Sequence, residues 1–83
     1  MQKENLQKES RWEEMPLTMA GIDREIQIKK ISGKNETKHF LENLGFVAGE
    51  VITVVSEIQG NLIVKVKDSR VAISKEMAIK IIV

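Results

Sequence analysis

The sequence predicts a small, mainly β domain, built as a closed or partly open five-stranded barrel with one short α-helix between its first and second strands. Three observations predict this class. Short segments rich in β-branched residues recur between glycine- and asparagine-containing turns. One amphipathic segment interrupts that pattern. The chain has 83 residues, so it can form a single small core.

The first strand is predicted around Ile26, Ile28 and Ile31. These β-branched residues, followed by a break in the pattern, favour a strand. Residues 32–35 contain serine, glycine and asparagine, which are typical of a turn. We therefore expect the strand to end there and to lead into the helix.

A short helix is predicted at residues 36–44. Asn35 is a suitable N-cap, and Glu36 in the first turn favours the positive end of the helix dipole. Gly45 can end the helix with a positive φ, which costs glycine little. The expected packing face consists of three large apolar residues: Phe40, Leu41 and Leu44.

The remaining strands follow in quick succession. Residues 51–58 are rich in valine and isoleucine, and the turn residues at 59–61 separate them from a third strand. In that strand Leu62, Val64 and Val66 alternate with more exposed positions, the period of a half-buried strand. We expect closure into a barrel to hide the edges of the apolar second strand.

The end of the chain is predicted to hold two further strands. Asp68 and Ser69 are expected to turn the chain into a strand at 70–73. Ser74 then caps a one-turn helix at 75–78, and a last strand follows at 79–83. These elements complete the predicted barrel.

The composition indicates a domain at residues 16–83 after a polar tail or extension at residues 1–15. In an alternative interpretation, Leu6 and Trp12 of the tail dock onto the domain or a partner. No apolar run reaches the ~20 residues needed to cross a bilayer, and no secretory signal is visible, so we expect a cytoplasmic protein that is not inserted in a membrane. The absence of cysteine excludes disulfides and thiolate zinc sites.

The charge and the aromatic content argue against nucleic-acid binding. The formal net charge is +1, too weak to hold a phosphate backbone through several contacts. One tryptophan and two phenylalanines are too few for a base-stacking platform. We expect no nucleic-acid partner.

The side chains offer little chemistry. With one histidine and neither cysteine nor tyrosine, the chain lacks a set of catalytic groups, and its scattered glycines form no phosphate-binding loop. We expect neither an enzyme nor a bound cofactor. Glu36, His39 and Glu42 are weak candidates for a metal site on the helix surface, but an exposed histidine among surface charges is the favoured interpretation.

Three segments of this sequence resemble the ferrous iron transport protein A family. The first is Pro16-Leu-Thr-Met-Ala-Gly21, which leads to Ile28-x-x-Ile31-x-Gly33. The second is Leu41-x-x-Leu44-Gly45-Phe46-x-x-Gly49-x-x-Ile52-x-Val54, and the third is Arg70-Val-Ala-Ile-Ser-Lys-Glu-x-Ala78-x-x-Ile81-x-Val83. The resemblance implies an SH3-like barrel. It also implies an accessory role in bacterial ferrous iron uptake, as an adaptor or regulator of the membrane ferrous iron transporter B and its GTPase domain.

A partner-binding surface is expected at one of two places. The first is the helix-to-strand corner, with Leu41, Leu44, Gly45 and Gly49; the second is the strand that carries Arg70 and Ala72. For each of these residues the favoured interpretation is structural, with leucines in the core and glycines chosen for backbone geometry. Two alternative functions remain open. One is a detached SH3-like domain like those of iron-dependent repressors, and the other is weak, direct binding of a divalent metal. The oligomeric state is not predicted.

Overall fold

The computed structural model describes residues 14–83. A 3₁₀-helix (Leu17–Met19) comes first, and the remaining elements follow in chain order: β1 (Glu25–Gln27), β2 (Lys30–Ile31), α1 (Asn35–Asn43), β3 (Val51–Ile58), β4 (Asn61–Val66), β5 (Ser69–Ser74), α2 (Lys75–Ala78) and β6 (Ile81–Ile82). The tail predicted at residues 1–15 lies largely outside the described residues. Its last residue, Met15, exchanges two backbone hydrogen bonds with Val83.

The mainly β class is confirmed, but the strands do not form one closed five-stranded barrel: within residues 14–83 there are six of them, in two sheets. The described strands form a four-stranded antiparallel sheet in the order β1-β3-β4-β5 and a two-stranded sheet that pairs β2 with β6. The predicted first strand is divided because consecutive residues bond to different sheets. The Ile28 N–H donates to the Glu50 carbonyl oxygen at 2.8 Å, whereas the Lys29 N–H donates to the Ile82 carbonyl oxygen, also at 2.8 Å.

The apolar strand β3 is protected by its position in the sheet. It pairs with β1 on one side and with β4 on the other, so its backbone groups have partners without closure of a barrel. The edges of the larger sheet are instead the three-residue β1 and the six-residue β5. The longer edge is therefore the strand predicted to hold Arg70 and Ala72.

A bulge in β3 changes which side chains face the core. Its register with β4 shifts between Val54 and Ser56, which leaves Val55 as an extra residue. Side chains alternate across a strand, so one extra residue exchanges the two faces beyond it. Ile58, which would otherwise share the buried face of Val54, is 55% exposed.

The core lies between the four-stranded sheet and the segments that cross it. It consists of fifteen buried apolar residues: Leu17, Ala20, Ile28, Ile31, Leu41, Phe46, Ile52, Val54, Leu62, Val64, Val66, Ile73, Ala78, Ile81 and Val83. No polar or charged side chain is buried within residues 14–83. The alternation predicted for β4 is confirmed, because all three of its core residues are in this group.

The predicted helices occur with small differences. Asn35 is the first residue of α1 rather than its N-cap; Lys34 occupies the cap position without a side-chain hydrogen bond. Phe40 is 49% exposed, so the predicted packing face is reduced to its two leucines. In α2, the hydroxyl oxygen of Ser74 accepts a hydrogen bond from the Met77 N–H at 3.2 Å, as predicted for a cap.

The last strand is shorter than the predicted residues 79–83. β6 contains only Ile81 and Ile82. Ile79 instead has helical backbone angles and forms the C-cap of α2, where its N–H donates to the Lys75 carbonyl oxygen. The first residue of the predicted strand therefore belongs to the end of α2.

Candidate functional site

The two leucines at the helix-to-strand corner belong to the protein interior. Leu41 is completely buried, and Leu44 packs against the core cluster. The Leu41 carbonyl oxygen also accepts hydrogen bonds from the N–H groups of Leu44 and Phe46, at 3.1 and 3.0 Å. Leu41 therefore fixes the turn and offers no surface to a partner.

The two glycines of the corner set the backbone path between α1 and β3. Gly45 has φ +108° and Gly49 has φ +92°, a region that other residues rarely adopt. The Gly49 N–H donates to the Ile28 carbonyl oxygen at 2.7 Å, and its own carbonyl oxygen accepts from Gln27 Nε2 at 3.1 Å. Of the four predicted corner residues, only Gly49 is exposed.

Arg70 and Ala72, predicted as the second group, are both exposed on β5. They are two positions apart, so their side chains lie on the same face of the sheet. In the register with β4, Arg70 lies opposite Lys65 and Ala72 lies opposite Ile63. The structure thus separates the two predicted groups into a largely buried corner and an exposed edge strand.

The hydrogen-bond pattern of the β4–β5 hairpin shows which backbone groups point outward. The Lys75 N–H donates to the Gly60 carbonyl oxygen at 3.2 Å, which makes these two residues a hydrogen-bonded pair. Hydrogen-bonded and non-hydrogen-bonded pairs alternate along antiparallel strands. Counting from Gly60–Lys75 along the unbroken register, Arg70 and Ala72 fall in non-hydrogen-bonded pairs. Their N–H and C=O groups therefore point away from β4, toward the free edge.

Three basic side chains lie at the turn end of this hairpin, where Asp68 shares the turn with Lys67. Lys65 lies directly opposite Arg70, and Lys67 follows in the turn. The side chains of Lys65 and Lys67 line a cleft of about 210 Å³ on the outer face of the sheet, which Glu25 and Glu50 also line. We call Lys65, Lys67 and Arg70 the basic cluster.

The basic cluster has no ion-pair partner within residues 14–83. Like charges placed directly opposite each other on neighbouring strands are destabilising, so the Lys65–Arg70 pair contributes nothing favourable to the isolated fold. An ion pair elsewhere in the described region joins Lys75 to Glu57, and both side chains are about half exposed. A pair of that kind stabilises a protein little.

The sequence reasoning missed the basic cluster because it placed the turn one residue too late. The turn was predicted at Asp68 and Ser69, whereas it lies at Lys67 and Asp68, with Lys67 at φ +56°. A two-residue turn at that place pairs Val66 with Ser69, and hence Lys65 with Arg70. The alternation of β4, combined with a turn at Lys67 and Asp68, would therefore have predicted from the sequence that Lys65 lies opposite Arg70.

The weak metal candidates do not form a site. No group of three or more histidine, cysteine, aspartate or glutamate side chains that could hold a metal ion occurs in the described part of the chain. Glu36, His39 and Glu42 belong to α1 at three-residue intervals, so the two carboxylates start roughly 9 Å apart along the helix axis.

Within residues 14–83, no helix is long and apolar enough to span a membrane.

Three solved structures share this architecture. An iron uptake regulatory protein, FeoA, superposes with a TM-score of 0.76 at 24% identity, covering 83% of this chain and 93% of the other. A FeoA-like protein from Clostridium acetobutylicum has a TM-score of 0.76 at 14% identity, covering 84% of each chain. FeoA from Stenotrophomonas maltophilia, solved in complex with zinc and described as a prokaryotic SH3 domain protein, has a TM-score of 0.70 at 22% identity, covering 81% and 86%.

These similarities define the class of the molecule as a small, SH3-like β domain. The family follows from the sequence itself, because the FeoA domain model matches residues 15–83. The chain belongs to the FeoA domain family, as the three segments in the sequence indicated. No curated protein matches it.

Proposed function

We propose that this chain is a non-catalytic, protein-binding component of bacterial ferrous iron uptake. Its partner is the cytosolic, GTPase-bearing part of the membrane ferrous iron transporter B. The observation that carries the proposal is the match of the FeoA domain model to residues 15–83. The relative from Stenotrophomonas maltophilia is suggested to act as a ferrous iron transport activating factor, which supports the same role.

The proposed contact surface is the exposed side of the β4–β5 hairpin. Arg70 and Ala72 are exposed there, and Lys65 and Lys67, which have no ion-pair partner within residues 14–83, lie beside them. Leu41 and Gly45 act only indirectly, because one is buried and the other is confined by a neighbouring strand. In this proposal the protein is cytoplasmic and reaches the inner face of the membrane through its partner.

Affinity capture tests the proposal. The full chain, carrying a tag, is incubated with detergent-solubilised membranes from the cell that produces it, and retained proteins are identified by mass spectrometry. We expect enrichment of a large membrane protein with a GTPase domain over a control with an unrelated tagged protein of the same size. Recovery of soluble regulators, with no such transporter, would contradict the proposal.

A further inference from the structure

We propose that an extended, acidic segment of the partner pairs with β5 as a fifth strand of the larger sheet. This inference rests on the proposed protein-binding function and specifies how the partner is recognised. Addition of a strand to a free sheet edge is a known mode of peptide recognition, in which backbone hydrogen bonds give affinity and side chains give specificity. The backbone of β5, the charges at its turn end and the neighbouring sheet face each favour this mode of pairing.

The backbone of β5 provides the hydrogen-bonding groups that such a segment needs. Among residues 14–83, β5 is an edge strand whose residues pair with β4 on one side only. Arg70 and Ala72 direct their N–H and C=O groups outward, because they occupy non-hydrogen-bonded positions in the hairpin. Together these two residues offer two N–H donors and two C=O acceptors to an incoming strand.

The charges at this edge select the chemistry of the segment. Lys65, Lys67 and Arg70 lie together at the turn end and lack an ion-pair partner within the described residues. An acidic side chain on the incoming strand, placed beside Arg70, would relieve the repulsion between Arg70 and Lys65.

The outer face of the sheet beside β5 favours small or β-branched side chains at the end of the segment that lies farther from the turn. Farther from the turn, the basic cluster gives way to Ala72, which is exposed, and to its half-buried neighbour Ile63. Ile58 lies on the same face because of the bulge in β3. The segment that fits is therefore acidic near Arg70 and apolar near Ala72.

A peptide titration tests the inference without the transporter. The full chain is labelled with ¹⁵N and titrated with the acidic peptide acetyl-Glu-Thr-Glu-Thr-Val-Thr-Val-Thr-amide, which carries glutamate at one end and valine at the other end of the same strand face. A matched peptide with lysine in place of each glutamate is the control. We expect the acidic peptide to shift the backbone amide signals of Arg70 and Ala72 in a saturable way, and the lysine peptide to leave them unchanged.

Two pairs of variants separate strand pairing from simple charge attraction. Ala72→Pro removes an outward donor, whereas Ala72→Val keeps it; Arg70→Glu reverses a charge at the edge, whereas Arg24→Glu reverses one just before β1. We expect Ala72→Pro and Arg70→Glu each to weaken binding of the acidic peptide about tenfold or more. The two control variants should bind like the original chain.

Several outcomes would overturn the inference. These are the absence of saturable shifts at Arg70 and Ala72, equal binding of both peptides, or undiminished binding by Ala72→Pro. Shifts at the same amides that depend on protein concentration alone would identify a second copy as the occupant. If Ala72→Pro and Arg70→Glu capture the transporter as well as the original chain does, the proposed function stands and this inference fails. If the original chain captures no transporter, the proposed function itself fails.

Discussion

Gly45 and Val66 lie so close together that a Cβ atom added to Gly45 would be 2.9 Å from Val66 Cγ1. Real Cβ atoms hardly ever approach another atom so closely. Val66 is the last residue of β4, and it pairs with Ser69 across the turn of the hairpin. The end of α1 is thus packed directly beneath the hairpin that carries the basic cluster.

This contact predicts different costs for alanine at two glycines. Gly45→Ala should lower the free energy of unfolding by about 2–4 kcal/mol, since it adds overpacking against Val66 to the strain of a positive φ. Gly49→Ala should cost about 1–2 kcal/mol, because its φ is also positive but the space around it is open. Urea unfolding of both variants measures the difference. Equal losses would show that Val66 moves aside without cost.

The two phenylalanines provide a test of the core. Phe46 is fully buried, so Phe46→Ala should destabilise the domain by about 3–5 kcal/mol. Phe40 is 49% exposed, and Phe40→Ala should cost below about 1.5 kcal/mol. Thermal and urea unfolding give both values. A larger loss for Phe40 than for Phe46 would contradict the orientation of α1 described above.

Proline substitution in β5 tests the direction of its backbone groups. The Val71 N–H points to β4 in a hydrogen-bonded pair with Val64, so Val71→Pro should cost about 3 kcal/mol or more. Ala72→Pro removes an N–H that points to the free edge, and about 1 kcal/mol is expected. The comparison uses urea unfolding at one pH and salt concentration. The reverse order would mean that the outward residues of β5 are Val71 and Ile73.

A metal titration tests the surface histidine. We expect Co²⁺, added to equimolar concentration, to leave the ring signals of His39 in place, because a stable site needs three or four ligands that converge on one point. The ¹H NMR spectrum of the full chain provides the measurement. A saturable shift of the ring signals that is lost in both Glu36→Gln and Glu42→Gln would establish the alternative of direct metal binding.

Local sequence patterns predicted much of the fold. The period of two in β4, the serine cap of α2 and the positive φ of Gly45 depend on neighbouring residues, and the structure confirms each of them. The mainly β class follows from the same patterns. The resemblance of three segments to the FeoA family led to the correct family because it covered almost the whole domain.

The features that the sequence did not reveal depend on residues distant in the chain. The strand break after Ile28 arises from hydrogen bonds to Glu50 and, for the next residue, to Ile82. The exposure of Ile58 arises from the bulge at Val55, which is visible only in the register with β4. Neither can be read from local hydrophobic periodicity.

The candidate site was predicted only in part, for a related reason. Leu41 and Leu44 were predicted both on the packing face of the helix and as candidates for partner binding, because a helical pattern does not show how completely a helix face is covered. Arg70 and Ala72 were identified as one of two alternatives, and the structure places them at an exposed edge. The position of Arg70 opposite Lys65 could not be predicted, because it depends on the correct placement of the turn between β4 and β5.

The most direct test of the account is a quantitative capture of the transporter by the original chain, by Ala72→Pro and by Ala72→Val. Solubilised membranes are applied to equal amounts of each immobilised protein, after unfolding measurements confirm that all three are folded. We predict that the original chain and Ala72→Val retain the same amount of transporter, and that Ala72→Pro retains about a tenth of it or less. Equal retention by all three proteins would contradict binding through the edge of β5.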